Sequence, residues 1–327
     1  MAVKLRDIAA AAGVSVATVS QALNGYTKTG LRRETCERVR SLAKQMGYTP
    51  NAIARSLKMQ RTHAVGFYTG YGYRDARDPF LGEVFTGIRR GCDDLKLDFL
   101  IHGDLGEGDD PEEIRVRLSN GRVDGLIVHT QPSDPVARCL AEGVLPAVAF
   151  ADRQADLPSV VADDVQGIGL LVDYLWAKGH RRIAFLKSEM ALVSVDERAS
   201  TLASLVEARG GIADIEQFPF ENPAVYLGAL MERRERYSAV CCWNDTSAYR
   251  LLGACAELGV SVPDQLAVVG FDGLLETRLP ARRLVTAEVP WERMAREAVR
   301  QLVQLRDGNP VPPLSVFPVK LVEGDTA

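Results

Sequence analysis

Cysteine, histidine and acidic side chains are the groups in this chain that could hold a metal or serve a nucleophile, and their spacing argues against both. The six cysteines, Cys36, Cys92, Cys139, Cys241, Cys242 and Cys255, form no C-x-x-C pair. Cys241 and Cys242 are adjacent on an expected strand, so they point to opposite faces and are poorly placed to share one ion. The histidines, His63, His102, His129 and His180, show neither H-x-x-x-H nor H-E-x-x-H spacing. There is no G-x-x-x-x-G-K-[ST], no G-x-S-x-G, and no G-x-G-x-x-G leading from a strand into a helix. Carboxylates in a cleft could act as general acid and base, but nothing positions a nucleophile. The expectation is a protein without cofactor, metal or enzymatic activity. Charge distribution is more telling. Residues 1–60 hold ten Lys/Arg against three acidic residues, a net +7 in a chain of net −4, which leaves −11 on the remainder. A phosphate-binding head on an acidic body has this asymmetry; a solvated basic helix face would give the same charges.

The segment carrying that charge is built to present a polar helix. Residues 5–12 favour helix, with Leu5, Ile8, Ala9 and Ala12 at helical spacing. Gly13 stops it, because a sharp turn there needs a residue tolerant of positive φ. Ser15 is placed to cap a second helix over 16–24. In that helix Val19 and Leu23 can pack back on Leu5, Ile8 and Val14, which leaves Ala17, Ser20, Gln21 and Asn24 facing outward. A third helix over 33–46, stopped by Gly47, brings Val39, Leu42, Ala43 and Met46 to the small core. Helix, short glycine turn and helix with a free polar face make a helix-turn-helix.

From His63 onward apolar runs alternate with amphipathic helices. Segments 64–68, 98–102, 125–129, 147–150, 183–186, 239–242 and 267–270 read as buried parallel strands, with helices such as 82–95, 166–178 and 246–258 between them. Repeated βα units give a doubly wound sheet. Two such sets fill the remaining length. The fold class expected is an all-α helix-turn-helix head plus an α/β body of two Rossmann-like lobes, with ligand binding at the carboxyl ends of the strands. No apolar run reaches the roughly 18 residues of a membrane span. The first residues lack the features of a secretory signal, so a cytoplasmic protein is expected.

Leu5-Arg6-Asp7-Ile8-Ala9, Ala12-Gly13-Val14-Ser15-Val16-Ala17-Thr18-Val19-Ser20, Leu23-Asn24-Gly25, Met46-Gly47-Tyr48-Thr49-Pro50-Asn51 and Ala54-Arg55-Ser56-Leu57 follow one another in a distinctive order. They resemble the head of the LacI/GalR family of transcription regulators, apart from a short insertion around 26–33. Pro158-Ser159-Val160-Val161-Ala162-Asp163-Asp164, Gly179-His180-Arg181-Arg182 and Val268-Val269-Gly270-Phe271-Asp272 resemble landmarks of the same family. The resemblance covers essentially the whole chain. It implies a helix-turn-helix domain over 1–50, a hinge helix and linker over 51–62, and a two-lobed effector-binding and dimerisation domain over 63–327, of the periplasmic-binding-protein-like kind. It further implies a repressor that binds pseudo-palindromic operator DNA as a homodimer, under control of a small effector, a sugar or sugar derivative. An exported sugar-binding protein of the same fold would have no basic head.

The resemblance also assigns residues. Val16, Ala17, Ser20 and Gln21 stand where the family reaches base edges, with Asn24 on the same face. Gln21 replaces a usual Arg, which exchanges a guanine preference for adenine. Asn51, Arg55 and Leu57 match the hinge helix, where Leu57 would wedge into the minor groove or else join two hinge helices. Asp152, Ser194, Arg198, Asn244 and Asp272 match effector positions, as does Asp245. Carboxylates, an Arg fork and an amide suit adjacent hydroxyls, and Phe80 or Trp243 would supply an aromatic wall. The chain departs from the family pattern at Asp78-Pro79-Phe80-Leu81, in the Tyr-rich loop over 68–75, at Gly273 where a second Asp is frequent, and at Val289 where a polar residue often closes the site. An effector bridging the lobes would shift a population between two closures and so alter the spacing of two heads in a dimer.

Overall fold

The computed structural model describes residues 3–23, 31–71, 78–102, 110–132, 134–143, 145–188, 192–218, 222–232, 237–274 and 282–327, and of residues 52, 53, 55 and 58 the backbone alone. The chain divides into two compact units, Met1–Thr62 and His63–Ala327.

In the first unit α1 (Leu5–Ala12), α2 (Val16–Leu23) and α3 (Arg33–Gln45) enclose Ile8, Ala12, Val19, Ala22, Val39 and Ala43. Gly13 takes φ +63° between α1 and α2. The Val14 N–H donates to the Ala9 carbonyl at 3.1 Å, which satisfies the frayed end of α1. Ser15 Oγ then accepts the Thr18 N–H at 3.1 Å and caps α2. Arg40 Nε donates to the Ala22 carbonyl at 3.2 Å, so α3 serves an orphan acceptor at the end of α2. A short helix, α4 (Ala52–Met59), begins where the Asn51 side chain accepts the Ala54 N–H.

The second unit starts with one run of alternating strands and helices: β1 (Ala64–Thr69), α5 (Pro79–Leu95), β2 (Asp98–Ile101), α6 (Pro111–Leu118), β3 (Gly125–His129), α7 (Pro135–Ala141), β4 (Ala147–Phe150) and β5 (Ser159–Ala162). A second run follows: α8 (Asp164–Ala177), β6 (Arg182–Lys187), α9 (Val193–Glu207), β7 (Ile212–Gln217), α10 (Pro223–Glu232), β8 (Ala239–Cys242), α11 (Asp245–Leu258), β9 (Ala267–Asp272) and β10 (Val285–Glu288). The chain then returns to the first lobe with α12 (Trp291–Arg306) and β11 (Leu314–Phe317), and ends in the second with β12 (Lys320–Val322). The first sheet has the order β11-β5-β4-β3-β1-β2 and is parallel throughout. The second has the order β12-β10-β9-β8-β6-β7, parallel but for β12, which runs antiparallel to β10.

Strands covered by helices on both faces must be apolar on both faces, and β4 and β9 are buried at every residue. Cys241 and Cys242 follow the same rule, one packing in the core on each side of β8. One expectation needs correcting. Segment 98–102 is not a buried strand: β2 is an edge strand with exposed and half-exposed side chains, because it has a neighbour on one side only. The antiparallel β12 was also not expected.

The chain crosses between lobes three times, after β5, after β10 and after β11. The middle crossing matters most for the site, since it lays α12 along α5. Gly87 makes this approach possible: a Cβ there would stand 2.4 Å from the Glu292 carbonyl oxygen. Gly91 repeats the device one turn later against Val299. The two helices therefore run side by side in the same direction, and their first turns carry Phe80 and Trp291 to the same place.

Candidate functional site

In the head, α2 turns Val19 and Ala22 into the core and leaves Val16 and Ala17 exposed, with Ser20 and Gln21 half-buried. These four lie together on one helix. Asn24 lies outside the described residues, as does the side chain of Arg55. In α4, Asn51 is engaged as the helix cap, while Leu57 is 77% exposed.

In the second unit a cavity of about 470 Å³ opens between the lobes, at the carboxyl ends of the strands. Seven of the eight side chains expected at the ligand line it: Phe80, Asp152, Ser194, Arg198, Trp243, Asn244 and Asp272. The cavity therefore collects groups from α5, from the end of β4, from the first turns of α9 and α11, and from the end of β9.

Arg198 is the centre of the polar side. It projects from α9 and is buried. Its Nε donates to Asp164 Oδ1 at 2.6 Å and its Nη1 to the Trp243 carbonyl at 2.7 Å. The guanidinium stacks 3.7 Å from the Phe271 ring centroid, and Asp272 Oδ1 lies 4.0 Å away. Burial opposes its charge, but Asp164 and Asp272 outweigh burial and hold the guanidinium protonated. Asp272 ends β9 with φ +126°. Burial raises its carboxyl well above the ordinary range, Arg198 opposes that rise, and the nearby carboxylates of Asp245 and Asp164 add to it. Asn244 accepts the Ser247 N–H at 2.9 Å, which caps α11 and leaves its amide N–H₂ as a donor.

Asp152 does something the sequence did not signal. Its Oδ1 accepts the N–H groups of Arg153 and Ser194 and its Oδ2 that of Val193, each at 3.1 Å. A carboxylate from the first lobe thus caps the N-terminus of α9 in the second, an arrangement favoured by both orphan donors and helix dipole. Burial raises its carboxyl, and those backbone hydrogen bonds oppose the rise. Asp245, expected beside Asn244 at the ligand, lies outside the cavity. It is fully buried and accepts from Thr286 Oγ1 at 2.6 Å and the Leu274 N–H at 2.7 Å. It ties β9 to β10. Val289 is buried and does not line the cavity. Gly273 is dictated by space, since a Cβ would meet Glu288 Cα at 2.7 Å.

The residues missed by the sequence reading form the apolar wall. Tyr71, His129 and Trp291 surround Phe80, with ring centroids 4.7 Å apart for Tyr71–His129, 5.2 Å for Phe80–His129 and 4.8 Å for Phe80–Trp291. His129 ends β3, and Tyr71 belongs to the Tyr-rich loop over 68–75, of which residues 72–75 lie outside the described residues. Trp291 gave no signal, because the crossing that returns it to the first lobe is not local. Thr246 and Arg250 of α11 add two more polar side chains. Among the described residues no three His, Cys, Asp or Glu side chains are grouped to hold a metal ion. No described helix is long and apolar enough to cross a membrane. The motif Gly179–Arg182 is structural: His180 Nδ1 bonds Ser238 Oγ at 2.9 Å, and Arg181 bonds the Trp176 carbonyl and stacks on its ring.

Residues 4–51 match the model of bacterial regulatory proteins of the lacI family, and residues 172–327 match that of periplasmic binding protein-like domains. The chain is 29% identical over 332 residues to the HTH-type transcriptional regulator GalR of Escherichia coli K12, covering 97% of this chain and 94% of that protein. It is 28% identical to the sucrose operon repressor of Pediococcus pentosaceus, covering 99% of each. These relatives are transcriptional regulators rather than enzymes. The fold is shared with the lac repressor dimer bound to operator and the anti-inducer ONPF, at a TM-score of 0.82, 24% identity, and coverage of 100% and 99%. It is shared too with the transcriptional regulator CelR in complex with cellobiose, at a TM-score of 0.71, 24% identity, and coverage of 99% and 100%.

Proposed function

We propose that this chain, which belongs to the LacI family of DNA-binding transcriptional regulators, acts as a repressor controlled by a hydroxylated, sugar-like effector bound between its lobes. The observation that carries the reading is the polar side of the cleft. Asp272 offers acceptors, Arg198 and the Asn244 amide offer donors, and all three line one cavity. Such a set exchanges pairs of hydrogen bonds with vicinal hydroxyls. The sucrose operon repressor and the cellobiose complex of CelR are relatives whose names point the same way.

On DNA, Val16, Ala17, Ser20 and Gln21 read base edges in the major groove, with Asn24 beside them, and Leu57 enters the minor groove from the hinge that Asn51 and Arg55 belong to. The working unit is a homodimer in the cytoplasm, because two heads are needed for a pseudo-palindromic operator. Exposed aliphatic residues on two of the four edge strands, Ile101 on β2 with Ile212 and Ile215 on β7, support such a partner face, as does Val225 on the adjacent α10, which is 74% exposed. An effector held by both lobes favours one closure over another, and a coupling of about 1–3 kcal/mol changes operator affinity roughly 5–150-fold.

Binding-site selection from random DNA with the full chain, followed by titration in the presence of sugars, tests the reading. The expected result is a two-fold-symmetric site whose affinity changes with one carbohydrate and stops changing in Arg198→Ala. Selection of single half-sites bound by monomers at full affinity would defeat it.

A further inference from the structure

We infer that His63 is a strained joint at the root of the linker, locked in the left-handed conformation by Asp124 and Arg306, and that this lock fixes the direction in which the chain leaves the second unit. The inference rests on the reading of two heads on one operator. Two positive-φ residues other than glycine flank the linker's end, Gln60 at +50° and His63 at +58°. Gln60 needs no special reason. It ends α4, where the left-handed conformation lets its N–H reach the Ser56 carbonyl. His63 ends no helix and stands directly before β1, where extended backbone is the ordinary choice. A residue with a Cβ stays left-handed in such a place only when its surroundings over-determine it.

Here they do. The His63 N–H donates to Asp124 Oδ2 at 2.9 Å, and the His63 carbonyl accepts the Asp98 N–H at 2.8 Å, so the peptide groups on both sides of its Cα are fixed. Asp124 is held in turn. Its N–H donates to the Ala64 carbonyl at 2.8 Å, and Arg306 Nη1 lies 3.7 Å from its Oδ2. The Asp124 and Arg306 side chains are 9% and 16% exposed, so water competes little for the pair. Asp307 orients the guanidinium, accepting from Arg306 Nε at 3.1 Å and Nη2 at 3.2 Å. Arg306 is the last residue of α12, and Trp291, the first, lines the cavity, roughly 22 Å away along the helix. One helix therefore spans from the cavity to the lock. Without the lock His63 relaxes to the extended region, a rotation of roughly 120° or more about one backbone bond. In a dimer that scatters the two chain exits and adds the entropy cost of gathering both heads on one operator. A single half-site, which needs one head, is indifferent to it.

The test is fluorescence anisotropy with the full chain on two labelled duplexes, the two-fold operator recovered by selection and a duplex bearing one half-site. Asp124→Ala should weaken operator binding about tenfold and half-site binding by less than about twofold. Asp124→Asn keeps an acceptor for the His63 N–H and should stay within about threefold of the parent. Arg306→Gln leaves Asp124 unbraced and should weaken the operator about threefold; unchanged affinity there removes Arg306 from the lock. The deciding background is His63→Gly. Glycine adopts positive φ without strain and has nothing to relax, so in that background Asp124→Ala should weaken the operator by less than about threefold. A tenfold loss in both backgrounds overturns the inference, because Asp124 then acts on the fold at large and not through the strained residue. Equal weakening of operator and half-site overturns it too, as does an operator bound equally by the parent and Asp124→Ala; in each of these cases the two-headed reading stands. Selection of half-sites alone, bound by monomers, removes the two-headed reading and the joint with it.

Discussion

Asp272→Asn should make the ligand-free protein more stable while it weakens effector binding. The side chain is buried at the end of β9, in a region of φ that L-residues rarely adopt. Its ion pair with Arg198 spans 4.0 Å, beyond hydrogen-bond reach, whereas Asp164 holds the same guanidinium at 2.6 Å. Asn is nearly isosteric and leaves Arg198 neutralised by Asp164. Relief of a poorly satisfied buried carboxylate amounts to about 1–2 kcal/mol, a rise of roughly 2–8 °C in Tm for a domain of this size. The pH dependence has a definite sign. The folded carboxyl is raised above its unfolded value, chiefly by burial, so the folded state holds the extra proton. The parent's stability from this group is complete below about pH 4 and falls as pH rises toward the folded pKa. The advantage of the variant should therefore be small near pH 4 and grow toward neutrality. Scanning calorimetry from pH 4 to 8 without ligand measures it. Asp164→Asn is the opposite control, since it leaves the buried guanidinium with a distant partner and should cost about 3–5 kcal/mol. If Asp272→Asn lowers Tm at pH 7, or shifts it equally at every pH, the carboxylate stabilises the fold and the argument fails.

Other outcomes follow from single contacts. Gly87→Ala drives a methyl against the Glu292 backbone, so it should destabilise by about 1–3 kcal/mol and also weaken effector binding, through Phe80 and Trp291; denaturation and calorimetry report both. Leu57→Ala should change stability by no more than about 0.5 kcal/mol, as expected of an exposed position, yet reduce operator affinity and the DNA bend seen by gel mobility. Gln21→Arg should move preference at one base pair from adenine toward guanine by about 1–3 kcal/mol, read from selected sequences. Ser15→Ala removes the cap of α2 and should cost the head about 1 kcal/mol, visible in its own melting transition.

The head was legible because its determinants are local. Gly13 turns, Ser15 caps, and Ile8, Ala12, Val19 and Val39 recur at helical spacing, so a few residues specify each element. The strands of the body were legible for a related reason: burial on both faces demands unbroken apolar runs such as those of β4 and β9. The edge position of β2 was not, since apolar runs do not reveal which neighbour is missing. Among candidate site residues, Asn244 stands at a helix start and Asp272 at a strand end, with Arg198 in the second turn of α9, positions where a family resemblance could place them. What the sequence could not fix was what each would be bound to. Asp164 meets Arg198 across 34 residues and Asp152 caps α9 across 41. Trp291 meets Phe80 because the chain crosses between lobes and lays α12 along α5. Local geometry fixes where a helix begins, but partners brought together by the crossings depend on the packing of whole layers, and so only the tertiary structure made a polar wall, an aromatic wall and a carboxylate clamp into one cleft.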